Sequence, residues 1–177
     1  MNDREKKEAY GKAMDILKSN NVRITPQRQI ILKYLIDHNN HPSVETIFHF
    51  LEETFPNLSM ATVYNNLCLF KKLRIVIELP NPDGGYRYDF YSHPHFHAIC
   101  DTCGKIIDID DPKFKKIDEE LQDATKKVGF DPSVSNVEVH GTCKECQAKK
   151  NAQEPKQDQG KSSNKRVVEM PKASLKN

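Results

Sequence analysis

Apolar positions recur at helical spacing through the first seventy residues. Ala9, Ala13, Ile16 and Leu17 line one side of a helix predicted from about Asp3 to Ser19. Asn20-Asn21 stops it, because Asn tolerates the left-handed turn at a helix end. Thr25-Pro26 reads as an N-cap followed by proline at the first helical position. The helix it opens turns Ile30, Ile31, Tyr34 and Leu35 inward and ends near His38-Asn39-Asn40. Ser43 caps a third helix, with Val44, Ile47, Phe48, Leu51 and Phe55 as its apolar side, broken by Pro56-Asn57.

The fourth helix is the informative one. Ser59 is its expected N-cap, and Met60, Val63, Leu67 and Phe70 fall on one stripe. Opposite stand Ala61, Thr62, Asn65 and Cys68, with Tyr64 on the flank, where an ordinary solvated helix would carry Lys and Glu. Small groups, hydroxyls and an amide suit a helix lying in a DNA major groove, where Asn bonds adenine edges and methyls meet thymine. Lys71, Lys72 and Arg74 follow at a place suited to phosphates. Two β-rich runs, Ile75–Leu79 and Tyr86–Phe90, flank a turn containing Asp83-Gly84-Gly85 and so predict a hairpin. Helices closed by a hairpin form the winged-helix plan. The plainer alternative is a small helical domain that happens to end in a hairpin.

From Phe96 the period changes. Strands are expected at Phe96–Cys100, Lys105–Ile109 and near Ser133–His140, with a charged helix from about Asp111 to Lys127 turning Phe114, Ile117, Leu121 and Val128 inward. So small an α/β unit has little core of its own, and such units commonly need a metal or a partner subunit. The predicted fold class is therefore α+β. A winged-helix domain spans residues 1–90, a small α/β domain spans 91–150, and the polar stretch 151–177 is expected to be disordered.

Composition narrows the function less than pattern does. The net charge of +2 is spread as +1, −2 and +3 over those three segments, so DNA affinity has to come from local arrangement. Nothing approaches eighteen consecutive apolar residues, and the mixed-charge start Met1–Glu8 lacks a secretory apolar region. The expectation is a cytoplasmic protein, where cysteines bind metal more often than they pair.

Two cysteine pairs, Cys100/Cys103 and Cys143/Cys146, form CxxC knuckles separated by 39 residues. Each knuckle aims two thiolates at one ion, and two complete a tetrahedral sulfur set suited to zinc, with no open position for catalysis. A thioredoxin-like redox pair, the competing reading, needs only one such motif. Cys68 is left over as a small helix residue. A second cluster is imidazole with carboxylate. His95 and His97 project to one side of a strand, Asp89 ends the hairpin, and Asp108 follows the first knuckle. Without thiolate this donor set favours Fe(II), Mn(II) or Zn(II) over a closed sulfur cage, although surface histidines near proline are common. His41 is unremarkable by itself, and His38, His49 and His140 read as non-ligands.

The chain from roughly Ala9 to Lys150 closely resembles the ferric uptake regulator (Fur) family of metal-dependent repressors. The likeness runs through Val22–Arg28, His41-Pro42, Ala61–Leu67, Tyr88–Phe90, His95–Cys100, Cys103–Asp108 and Gly141–Cys146. Asn65 and Asp108, where iron-uptake repressors tend to have Arg and Glu, are markers of the peroxide-responsive (PerR) branch. The resemblance implies a homodimer on a palindromic double-stranded DNA operator, with Ala61, Thr62, Tyr64, Asn65, Lys71 and Lys72 at the DNA. Cys100, Cys103, Cys143 and Cys146 match structural zinc ligands. His41, Asp89, His95, His97 and Asp108 match the regulatory Fe(II)/Mn(II) ligands, and His41 or His95 is the ring expected to be oxidised by peroxide. Such a modification is one-way, so no enzyme is expected. An uptake repressor for iron, manganese or zinc on the same fold is the nearest alternative. A zinc-stabilised protein adaptor and a thiol oxidoreductase are the alternatives from other classes. The chain departs from the family at Leu73-Arg74, at Cys68, and at Val134–Asn136, where many relatives carry histidines and a further metal site is not expected.

Overall fold

The computed structural model describes residues 1–81, 84–91, 93, 95–132 and 135–153. Among the described residues, six helices and five strands follow in order: α1 (Asp3–Ser19), α2 (Pro26–Asp37), α3 (Val44–Leu51), α4 (Met60–Lys72), β1 (Val76–Pro80), β2 (Tyr86–Phe90), β3 (Phe96–Cys100), β4 (Ile106–Ile109), α5 (Phe114–Lys127), β5 (Glu138–Gly141) and α6 (Lys144–Gln153).

The N-terminal half is built by its caps and its stripe. Asn2, Thr25, Ser43 and Ser59 each accept a backbone N–H three residues on, satisfying one orphan donor at the start of α1 to α4. Asn21 takes the left-handed conformation expected of a helix stop (φ 57°). Leu17, Ile31, Leu32, Ile47, Leu51, Val63, Leu67, Phe70 and Tyr88 are fully buried in one continuous core, which the hairpin β1–β2 completes. The hairpin is antiparallel, with Glu78 opposite Tyr88 and Ile77 opposite Asp89. This is the winged-helix architecture.

Two expected core positions turn outward. Ile16 lies at the edge of the α1 stripe, and Met60, the first residue of α4, has no preceding turn to pack against; both are exposed. Asn66 fills the inward position instead, buried with its amide donating to the Thr62 carbonyl at 2.7 Å.

The C-terminal half is a three-stranded sheet in the order β4-β3-β5, with β3 antiparallel to β4 and parallel to β5. The parallel pairing sets Cys100 opposite Gly141, so both knuckles emerge at the same end of the sheet. Its core is thin: Ile99, Cys100, Phe114 and Cys146 are its buried apolar residues. Along α5 only Phe114 packs inward, its ring 5.3 Å from that of Phe96. Ile117, Leu121 and Val128, expected inside, are exposed, because α5 touches the sheet at its first turn and no second layer covers the rest of its stripe. Helix α6 has no counterpart in the apolar pattern, and it carries helical chain three residues past the expected boundary at Lys150. The tail expectation otherwise falls on residues 154–177, outside the described residues, as do Ser133 and Val134 of the expected last strand.

Candidate metal centre

The sulfur cluster follows from the sheet. Cys100 ends β3, Cys103 sits in the turn after it, and Cys143 and Cys146 bracket the start of α6. All four Sγ atoms lie within 4.8 Å of one another, and Cys103 and Cys143 are 3.7 Å apart. A zinc–sulfur bond of about 2.3 Å gives a tetrahedral edge of about 3.8 Å, so the thiols already stand at metal spacing. Gly104 takes a left-handed φ of 68° and donates to the Cys100 carbonyl, closing the first knuckle. The Cys143 N–H donates to Cys100 Sγ at 3.3 Å and holds that thiol down, to about 6, against burial. Lys105 and Glu145, paired at 2.7 Å, tie one knuckle to the other.

The second cluster gathers residues from both halves. His41 lies in the α2–α3 loop, where the backbone turns left-handed (φ 44°), a sparsely populated conformation for a side-chain-bearing residue. The loop is held there: Asn40 donates to the Tyr34 hydroxyl, and the Pro42 carbonyl accepts the Tyr88 N–H at 2.9 Å. His41 Nε2 thereby reaches 2.7 Å from Asp108 Oδ1 and 3.8 Å from Asp89 Oδ1. His95 and His97 alternate along the strand entry as expected, with their Nε2 atoms 3.0 Å apart. His95 Nε2 is 3.1 Å from Asp89 Oδ2, and His97 Nε2 is 3.4 Å from Asp108 Oδ1.

His41, Asp89, His95 and His97 are buried, and Asp108 is nearly so. Burial pushes the Asp89 carboxyl up, but the facing imidazoles of His95, His97 and His41 outweigh it and hold it down, to about 2. Burial depresses His95 in turn, and the Asp89 carboxylate and the His93 carbonyl reverse this, raising it to about 9. Asp108 is held below the usual carboxylate range, burial again being outweighed, by His41 and Asn39.

His41, Asp89, His97 and Asp108 offer atoms close enough for one cation, with His95 at their edge. The buried atoms His41 Nε2, Asp89 Oδ2 and Asp108 Oδ1 lack an aligned hydrogen bond, a costly state in a protein interior. Nitrogen and carboxylate atoms that converge on one point without aligned hydrogen bonds are what a divalent cation satisfies. His95 Nδ1 meets the His93 carbonyl at 2.9 Å, which fixes the tautomer that presents Nε2 to the cluster. His38 stacks on Tyr34, His49 pairs with Glu52, and His140 pairs with Asp101, a residue of the first knuckle that is not one of its thiols.

On α4, Ala61, Tyr64, Asn65, Lys71 and Lys72 are exposed, while the Thr62 hydroxyl lies 2.9 Å from the capping Ser59. Two residues went unread in the sequence. Glu78, largely covered, accepts from both Lys71 and the Tyr88 hydroxyl. Asn39, read there only as part of a helix stop, donates to Asp108 Oδ2 at 2.7 Å. No spacing rule connects positions 39 and 108.

A winged helix, a thiol-stapled sheet and a histidine–carboxylate cluster shared between them define a transcription regulator of the metal-binding, DNA-binding class. The sequence model of the ferric uptake regulator family matches residues 19–140, and the chain belongs to that family. It is 46% identical over 133 residues to the peroxide-responsive repressor PerR of Staphylococcus saprophyticus, covering 75% of this chain and 88% of that protein. The PerR of Staphylococcus aureus is 47% identical over the same coverage. Among solved structures, the Helicobacter pylori ferric uptake regulator aligns with a TM-score of 0.62 at 26% identity, over 80% of this chain and 93% of that one. The Campylobacter jejuni peroxide stress regulator aligns at 0.59 and 32% identity, over 75% and 98%. Members of this family regulate transcription and are not enzymes. Among the described residues, no helix is long and apolar enough to cross a membrane.

Proposed function

We propose that this protein is a homodimeric, metal-dependent repressor that binds a palindromic DNA operator and releases it when peroxide oxidises a ligand histidine. The observation that carries this reading is the position of His41. A ring from the winged helix stands 2.7 Å from Asp108 and edge-on to His97 of the C-terminal half, with Asp89 at the junction near residue 90.

Cys100, Cys103, Cys143 and Cys146 hold structural zinc, and His41, Asp89, His95, His97 and Asp108 hold Fe(II) or Mn(II). These five side chains join the two halves, so occupancy fixes the winged helices of a dimer at operator spacing. Switching such an equilibrium from 1:99 to 99:1 takes about 5.5 kcal/mol of differential binding. The exposed side of α4, with Ala61, Thr62, Tyr64 and Asn65, reads base edges, and Lys71 and Lys72 meet phosphates. The bare apolar stripe Ile117, Leu121 and Val128 on α5 supplies the dimer contact.

Fe(II), when held by these residues, would supply redox catalysis of peroxide beside the ligand rings; overall a ring C–H and one hydrogen peroxide give a ring C–OH and one water, a two-electron oxidation of the ring that leaves the iron in its starting state. A His41 or His95 ring so altered is a poor ligand, and the bridge between the halves is lost. The test is a DNA-binding titration with Mn(II), with Fe(II), and with Fe(II) plus peroxide, followed by mass spectrometry. One added oxygen on the peptide carrying His41 or His95, together with DNA release, is expected. Release only on metal removal would make the protein an uptake repressor instead.

A further inference from the structure

The α2–α3 loop makes two contacts with Asp108, not one. His41 approaches Oδ1 and Asn39 donates to Oδ2, both at 2.7 Å. Asn39 is exposed and 69 positions from Asp108 in sequence, yet its amide reaches from the winged-helix half across to β4. The loop is not free to drift, because Asn40 is bonded to Tyr34 and Pro42 to Tyr88. Asn39 is therefore presented by a fixed support. An Asp carboxylate has two oxygens that can both ligate a cation. With Oδ2 already engaged by an amide, only Oδ1 faces His41 and His97.

We infer that Asn39 is a positioning residue that orients Asp108 from across the two halves, limiting it to one ligating oxygen and holding the halves together before any cation arrives. This rests on the reading that His41, Asp89, His95, His97 and Asp108 form the regulatory metal site. Two consequences separate this role from a merely structural one. The first is a change in the coordination offered to the cation. The second is a change in the shape of the metal-free protein.

The experiment uses the full chain with zinc retained, and Mn(II) as the probe. Partners that orient metal ligands commonly change affinity by about 10–100-fold when lost. Since Asn39 is exposed, Asn39→Ala is expected at the lower end, weakening Mn(II) about tenfold. It also alters the Mn(II) electron paramagnetic resonance spectrum, as Asp108 becomes free to ligate through both oxygens. In metal-free protein, small-angle scattering is expected to show a larger radius of gyration for Asn39→Ala, and larger again for Asn39→Asp, which sets a carboxylate against Asp108. Affinity within twofold of the native protein, with an unchanged spectrum and unchanged scattering, would overturn the inference. His41→Ala serves as the control. Should it too leave Mn(II) affinity unchanged, the metal-site reading fails, and the metal-free scattering alone then decides for or against the Asn39 contact.

Discussion

His95 shows how a buried ring is prepared for a cation. With its pKa raised to about 9, the metal-free ring carries a proton at neutral pH, and that proton must leave before Nε2 can ligate. Loading with Mn(II) at pH 7 is therefore expected to release about one proton, and affinity to climb with pH until about 9. Calorimetry in buffers of differing protonation enthalpy measures the release; none at all would contradict the assignment. The sign for stability is opposite. A raised folded-state pKa stabilises the metal-free fold fully below about 6.5 and loses that contribution as pH passes about 9. Lys71 presents a second case, because Glu78 already neutralises it and raises its pKa through their hydrogen bond. Removing that charge as Glu78→Gln keeps an acceptor for Tyr88 and frees Lys71 for phosphate. The salt dependence of DNA binding should steepen by about 0.9 in log–log slope per protomer. Lys71→Ala in the native background should flatten that slope by less than about 0.9, because Glu78 offsets part of the charge that Lys71 brings to phosphate.

Among the elements, α4 has two distinct faces: Val63, Leu67 and Phe70 are buried on one side while Tyr64 and Asn65 stay outside. Leu67→Ala is expected to destabilise the winged helix by about 2–5 kcal/mol, read from chemical denaturation. Strand β5 is the opposite kind of element, four residues long and held by β3 on one side and the thiols at its end. Stripping zinc should therefore expose the β5 and α6 amides to hydrogen exchange first, leaving α1 to α4 protected. The same contrast explains what could be read from the chain alone. Caps and stripes are local, and Thr25, Ser43, Ser59 and the hairpin stood where spacing placed them. The stripe of α5 was legible as apolar, but its partner was not, because nothing local says whether Ile117 meets its own sheet or another surface. Helix α6 carries almost no apolar pattern and starts within a thiol knuckle, so periodicity missed it. Among the site residues, the CxxC pairs announced themselves by spacing. His41 needed family likeness, since 47 residues separate it from Asp89, and Asn39 left no local sign.

At the scale of the molecule, the bare flank of α5 and the exposed Ile107, Val139 and Phe130 suit contact with a second copy. A stable interface buries roughly 1,200–2,000 Å² in total, which calls for apolar surface of this kind. Ile117→Asp combined with Leu121→Asp should shift sedimentation from dimer to monomer and reduce operator affinity, while the isolated subunit keeps its helical signal. A last consequence lies in the hairpin. Tyr88, whose hydroxyl holds Glu78 and through it Lys71, shares a peptide bond with Asp89 at the cation cluster. Under the proposed function, duplex and ion would act on consecutive links of a single five-residue strand. Thermodynamic reciprocity then obliges each to strengthen the other by one common factor: a promoter fragment added to the regulator should raise its avidity for manganese as many-fold as manganese raises its hold on the fragment.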